Sequence, residues 1–341
     1  MTKPYLITGG AGFIGSNYVD RLLGRGERVT IYDNLSRAGS KLNLAWLREK
    51  HGEKSFQLIV GDVREADRLQ QACREADVIV HLAAQVAVTS SVTDPRTDFE
   101  VNALGTFNLV EAARLSGRQP IVLYASTNKV YGGMEDVEVV ERGNRWEYRD
   151  LPLGCPETQP LDFHSPYGCS KGTGDQYVRD YARIYDLPGV VLRQSCIYGT
   201  RQFGVEDQGW VAWMIIAAVT GRQITIYGDG KQIRDVLFVD DLLDAYDAAV
   251  ANIERVRGRV FNLGGGPANT MSIWTECGPL LERLLGKPIP VARSGWRPGD
   301  QKVFVADIRK AGQELGWSPK IGVEQGVARL FEWVQANKDL F

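Results

Sequence analysis

The sequence is poor in the residues that bind metals or cross-link small folds. Its five cysteines, Cys73, Cys155, Cys169, Cys196 and Cys277, are odd in number, widely separated and never paired as CxxC, so reduced thiols are expected rather than a disulfide framework. The three histidines, His51, His81 and His164, lie far apart and outside any HExxH or Cys/His cluster, and no metal is expected. An excess of one charge is also missing. Forty basic and 42 acidic residues leave a formal net charge of -2 without a long like-charge run, so neither nucleic acid nor an anionic membrane is an expected partner. No segment approaches the roughly twenty apolar residues of a membrane span. Met1 to Pro4 lead into a strand pattern without an apolar leader, and the expected location is the cytoplasm. What is present is 341 residues, 44% hydrophobic, enough for a large core shared by two unequal lobes.

From residue 5 to about 195, apolar strands alternate with amphipathic helices. Strands are expected at Tyr5 to Thr8, Arg28 to Tyr32, Phe56 to Val60, Val78 to Leu82, Ile121 to Ser126 and Val190 to Ser195. Their continuous hydrophobicity marks strands covered on both faces, and helices such as Gly12 to Leu23 and Phe99 to Leu115 are long enough to be crossovers. The expected class is α/β, a Rossmann-type doubly wound parallel sheet with a smaller C-terminal α/β substrate-binding lobe. Residues 1–190 would form the first lobe, with elements from about 220–255 returning to it, and 191–341 mainly the second. Gly133 to Asp162, charged, turn-rich and aperiodic, reads as a long loop.

Tyr5 to Gly15 run from a strand into a helix through glycines three apart. Gly9 permits the tight turn, Gly12 a close backbone approach to a pyrophosphate, and Gly15 close helix packing, with the anion on free N–H groups at the helix start. The next strand ends in Asp33, placed to bind both hydroxyls of an adenosine ribose, so NAD is expected over NADP; Arg37 is the one nearby group that could accept a 2'-phosphate. Cofactor contacts are therefore expected from Gly9, Gly12, Phe13, Ile14 and Gly15, from Asp33, Asn34, Ser36 and Arg37, from Asp62 and Val63 near the adenine, and from Leu82, Ala83 and Ala84.

Ser165-Pro166 suit a helix start, which puts Tyr167 and Lys171 on one face at i, i+4. An ammonium there, joined by the charge of an oxidised nicotinamide, would lower the phenol from about 10 toward 7 and make Tyr167 a general base. Thr127 follows the strand Ile121 to Ser126 at a carboxyl end of the sheet, where its hydroxyl could bond the same substrate oxygen.

Thr8 to Gly15, Asp33, Asp62-Val63, His81 to Ala83, Thr127 with Val130-Tyr131-Gly132, Tyr167/Lys171 and Arg234-Asp235-Val236 together resemble the extended short-chain dehydrogenase/reductase family, the nucleotide-sugar epimerases and dehydratases, over essentially the whole chain. The resemblance implies NAD-dependent hydride-transfer chemistry on a hexose attached to a nucleoside diphosphate, with Thr127, Tyr167 and Lys171 as catalytic residues. The 4,6-dehydratases carry an acidic pair directly after their threonine; here Asn128 and Lys129 stand instead, and elimination would lack its acid and base. Leu161 to Gly172, Arg201 to Phe203, Asp207 to Trp210 and Asp300 to Asp307 resemble the branch that inverts C2 of CDP-linked deoxyhexoses, the CDP-paratose 2-epimerases. Cys196 occupies the place of a common 4-epimerase asparagine.

The expected function is thus C2 epimerisation of a CDP-linked deoxyhexose through a 2-keto intermediate. The expected substrate contacts are Gln85, Thr127, Asn128, Arg201, Gln208, Trp210 and Asp300, with Arg234 and Arg297 on the diphosphate because forked donors suit phosphate oxygens. A 4-epimerase acting on a UDP- or CDP-sugar stays open, as does a non-catalytic NAD-binding regulator. Helices Phe99 to Leu115 and Tyr167 to Tyr185 carry more apolar residues than one buried stripe needs. In relatives the corresponding helices pair, which implies a homodimer or homotetramer.

Overall fold

A computed structural model describes residues 2–297 and 300–341. In chain order the strands are β1 (Pro4–Thr8), β2 (Arg28–Asp33), β3 (Gln57–Val60), β4 (Val78–His81), β5 (Ile121–Thr127), β6 (Val139–Arg142), β7 (Arg145–Tyr148), β8 (Gly189–Gln194), β9 (Cys196–Tyr198), β10 (Ile224–Tyr227), β11 (Ile233–Phe238), β12 (Val260–Leu263), β13 (Thr270–Ser272), β14 (Val291–Ser294) and β15 (Val303–Phe304). Seven of them form one parallel sheet in the order β12-β8-β5-β4-β1-β2-β3. The interior strands β4 and β8 are buried at every residue, as continuous apolar runs require under helices on both faces, whereas the edge strand β3 is partly open. The chain lays down β1 to β3 on one side and then crosses to β4 on the other. The strand order therefore reverses between β1 and β4, and a crevice opens there beyond their carboxyl ends. The Rossmann-type doubly wound sheet is present as expected.

Of the elements expected to return to the first lobe, helix Val239–Ala251 packs on helix Phe13–Gly24 through an edge-on Tyr18–Tyr246 contact, and Arg21 bridges Asp244 at 2.7 Å and Asp247 at 3.0 Å. β12 completes the main sheet, while β10 pairs instead with β14. β11 is the hub of a smaller sheet, flanked by β9, β13 and β15.

Two local expectations need correction. Residues 133–162 are not a structureless loop: β6 and β7 form an antiparallel hairpin, and Met134, Tyr148 and Cys155 are buried with Ile233, Phe304 and Val305. Polar contacts fix this segment to distant chain, with Trp146 Nε1 donating to Asp229 at 2.8 Å and Cys155 N to Val305 O at 2.7 Å. The crossover Phe99 to Leu115 opens as a wide π turn over Phe99–Leu104 before the α-helix Gly105–Leu115. There the Asn102 side chain donates to Asp98 at 2.9 Å and to Gln85 O at 2.8 Å, tying the turn to the loop after β4. Among the described residues no helix is long and apolar enough to cross a membrane.

Candidate active site

The glycine turn leads out of β1 into the crevice. Gly9 has φ +70°, and a Cβ there would lie 2.7 Å from Ala83 N, so the ends of β1 and β4 approach this closely only without a side chain. Gly12 starts the helix with no side-chain cap, and a Cβ on Gly15 would lie 2.3 Å from Gly9 O and 2.6 Å from Gly10 Cα. Gly15 thus packs against the turn itself. The result is a backbone cradle at a helix N-terminus, shaped for the pyrophosphate of a dinucleotide, with Phe13 and Ile14 in its first turn.

Asp33 closes the cradle from β2. Its buried carboxylate accepts from Ala11 N at 3.0 Å and Leu35 N at 2.8 Å; burial raises its pKa and these two N–H groups hold it back. Asn34 donates to Asp62 at 3.0 Å and accepts from Ser36 N at 3.1 Å. Asp62 is held in a fork by Arg64, which pulls its carboxyl down to about 2, and the Val63 side chain is buried against Gly105. At the far wall Leu82, Ala83 and Ala84 are half-buried, and Ala83 N donates to Thr8 Oγ1 at 3.3 Å.

Thr127 ends β5, and Tyr167 and Lys171 lie on the helix Ser165–Ile184 against it. All three are buried, at 7%, 9% and 4% exposure. Burial pushes the Tyr167 phenol up to about 12; the Thr127 hydroxyl and then the Arg37 guanidinium act the other way, and Asp98 adds to the rise. Lys171 lies one turn further along the same helix. Its ammonium lies 4.3 Å from the centre of the Tyr124 ring, and burial lowers it to about 7 against the pull of Asp98 and Asp175. The lowering of Tyr167 expected from Lys171 and an oxidised nicotinamide together is not present in the chain by itself, where burial dominates. Arg37, expected at the ribose, is exposed and its charge reaches the phenol.

Beneath this group runs a fully buried polar chain that the sequence reading missed. Asp175, one turn after Lys171, accepts from Ser126 at 2.9 Å and from Arg193 at 2.8 and 3.1 Å; Arg193 also donates to Tyr131, whose hydroxyl donates to Asn262 at 2.7 Å. It ties β5, β8 and β12 to the catalytic helix. Asp98 was missed as well; its Oδ1 accepts from Gln85 at 3.1 Å. An i, i+4 pair with Asn102 was its only trace in the sequence.

The expected substrate contacts divide. Arg234 is buried, pairs with Asp300 at 2.7 Å and shares a neighbourhood with Lys129 and Cys196. Trp210 opens the helix Trp210–Thr220 with its indole beside Cys196, where it opposes the rise that burial imposes on the thiol. Asn128 is half-buried beside Thr127, with its amide oxygen 3.3 Å from the Thr127 hydroxyl. Gln208 pairs through its backbone with Val205 in a tight turn. Arg297 bridges Asp207 at 3.1 Å and lies 3.8 Å over the Tyr227 ring, so a diphosphate there would compete with an acid. Two of the expected residues have their polar groups engaged within the chain. Gln85 engages its amide with Ala87 and Asp98, holding the loop after β4. Arg201 stacks between Trp46 at 4.3 Å and Trp333 at 5.7 Å, where the helices Ser40–His51 and Val323–Ala336 offer aromatic faces.

The family model described as GDP-mannose 4,6 dehydratase matches residues 6–330. A CDP-paratose 2-epimerase of Salmonella typhi is 43% identical over 97% of this chain and 99% of its own. Among solved structures, a UDP-glucose 4-epimerase with UDP-glucose from Thermotoga maritima superposes with TM-score 0.84 at 30% identity, covering 98% of this chain and 99% of that one. A dTDP-glucose 4,6-dehydratase from Streptomyces venezuelae, solved with NAD bound, gives TM-score 0.85 at 28% identity, covering 99% and 98%.

Proposed function

Because this chain belongs to the GDP-mannose 4,6-dehydratase family of NAD-dependent nucleotide-sugar epimerases and dehydratases, we propose that it inverts C2 of a CDP-linked deoxyhexose in the cytoplasm, the CDP-paratose to CDP-tyvelose type of reaction. The observation that carries the reading is the wall beside Thr127: Asn128 and Lys129 offer no carboxylate for an elimination, while Tyr167 and Lys171 lie beneath. The resemblance to the Salmonella enzyme supports the choice of C2.

NAD, held by Gly9 to Gly15, Asp33 and the ends of β3 and β4, supplies a reversible hydride acceptor and, when oxidised, a positive charge. Tyr167 removes the proton of the C2 hydroxyl, and Thr127 holds the same oxygen. Lys171 binds the nicotinamide ribose and adds positive charge under the site. Arg234 engages the diphosphate, and the buried walls keep water from the 2-keto sugar while it turns over. Incubating the protein with CDP- and UDP-sugars and locating the inverted carbon by NMR tests this. Inversion at C4 would favour the reading suggested by the Thermotoga neighbour, and absence of turnover across a broad panel would favour a binding protein.

The working assembly is a homodimer or a homotetramer built from it. Phe99, Leu104, Tyr177, Ile184 and Tyr185 are exposed apolar side chains on or next to the helices spanning 99–115 and 165–184, a surface suited to a second copy. A monomer mass by light scattering at micromolar concentration overturns it.

A further inference from the structure

Lys129 stands two residues beyond Thr127, on the short turn Asn128–Tyr131 that Thr127 caps by accepting from Lys129 N at 3.2 Å. Its part-buried ammonium donates to the neutral Gln301 Oε1 at 3.2 Å, and Gln301 is itself fixed by donating to Gly132 O at 2.5 Å. The charged neighbours are Arg234 and Asp300, and Asp300 is already paired with Arg234 at 2.7 Å. Two cations therefore share one carboxylate in a poorly hydrated cleft. Burial lowers Lys129 to about 8, and Arg234 adds to the fall. A cluster of this kind is short of one negative charge, which an anionic ligand group would supply.

We propose that Lys129, together with Arg234, binds the sugar-linked phosphate of the nucleotide sugar and so sets C2, rather than C4, at the Thr127 and Tyr167 hydroxyls. The inference rests on the C2 reading above and explains how it is achieved. C2 is three bonds from the phosphorus attached to the anomeric oxygen, whereas C4 is five bonds away. An enzyme that oxidises C2 must hold that phosphate closer to its catalytic hydroxyls than one that oxidises C4. Lys129 extends the positive charge of Arg234, on β11, to the end of β5, two residues from Thr127.

Calorimetry with CDP and CMP on the NAD-loaded protein tests this, because only CDP carries the phosphate assigned to Lys129. Lys129→Met should bind CDP on the order of ten- to a hundredfold more weakly, the scale of one lost charge-assisted hydrogen bond. Its CMP affinity should change by less than about threefold, and Lys129→Arg should keep most of the CDP affinity. Bound NAD, read by absorbance, should be unchanged, and Lys129→Gln repeats the comparison should Lys129→Met not fold. CDP binding unchanged in Lys129→Met, or CDP and CMP weakened equally, overturns the inference while leaving the C2 reading standing. Wild-type inversion at C4 overturns the C2 reading and the regiochemical role of Lys129 with it.

Discussion

Replacing Lys171 by methionine should stabilise the cofactor-free protein while ending turnover. The side chain is 4% exposed, and burial takes its amine from an ordinary 10.5 to about 7 even with Asp98 and Asp175 opposing the fall. The unfolded chain then binds a proton that the folded chain releases between pH 7 and 10. The amine opposes folding in full below pH 7, and the opposition fades as pH rises toward the unfolded value. At about 1.4 kcal/mol per unit the gross effect near neutrality is a few kcal/mol. The attraction of Asp98 and Asp175 is already contained in that lowered value, so the net gain at pH 6.5 stays on the order of a few kcal/mol. Urea unfolding of cofactor-stripped wild type and Lys171→Met at pH 6.5, 8 and 10 reads this directly. The variant should be the more stable at pH 6.5, and the gap should close by pH 10. A variant less stable than wild type at pH 6.5, or a gap that ignores pH, would refute the reasoning.

Tyr167→Phe should lower kcat by roughly a thousandfold or more, since it removes the proton acceptor, yet keep bound NAD and stability within about 1 kcal/mol; loss of the cofactor would mean that the phenol is structural. In D2O the inverted product should carry protium at C2, because hydrogen leaving that carbon returns to it without exchange; near-complete deuterium by NMR would replace transient oxidation by an enolising mechanism. Gly15→Ala should cost about 1–3 kcal/mol and weaken cofactor retention, because the new Cβ meets Gly9 O at 2.3 Å and Gly10 Cα at 2.6 Å, both backbone atoms with little room to move. Urea midpoints and the ratio of absorbance at 260 and 280 nm check both effects.

The parts legible in the sequence are those in which neighbouring residues act together. A buried parallel strand must be apolar at every position, so β4, β5 and β8 stood out as continuous runs. The glycine turn, the carboxylate ending β2 and the pair Tyr167/Lys171 are each confined to one turn or one strand end, where spacing alone sets geometry. Residues 133–162 were illegible for the opposite reason. Met134, Trp146, Tyr148 and Cys155 follow no period, because their cover comes from β11, β15 and their surroundings, far along the chain. Tertiary structure likewise decided which polar residues are engaged elsewhere. Gln85 and Arg201 are suitable types in suitable motifs, yet one is consumed by Asp98 and Ala87 and the other by two tryptophans. It also decided the protonation landscape. Residue type and i, i+4 spacing predicted an acidic phenol above an ammonium, but desolvation depends on the whole surrounding shell, and it drives Tyr167 up and Lys171 down. Lys129 combines both lessons: its place beside Thr127 is local, whereas its neighbours Arg234, Asp300 and Gln301 are assembled only when β11 and the segment before β15 close over the end of β5.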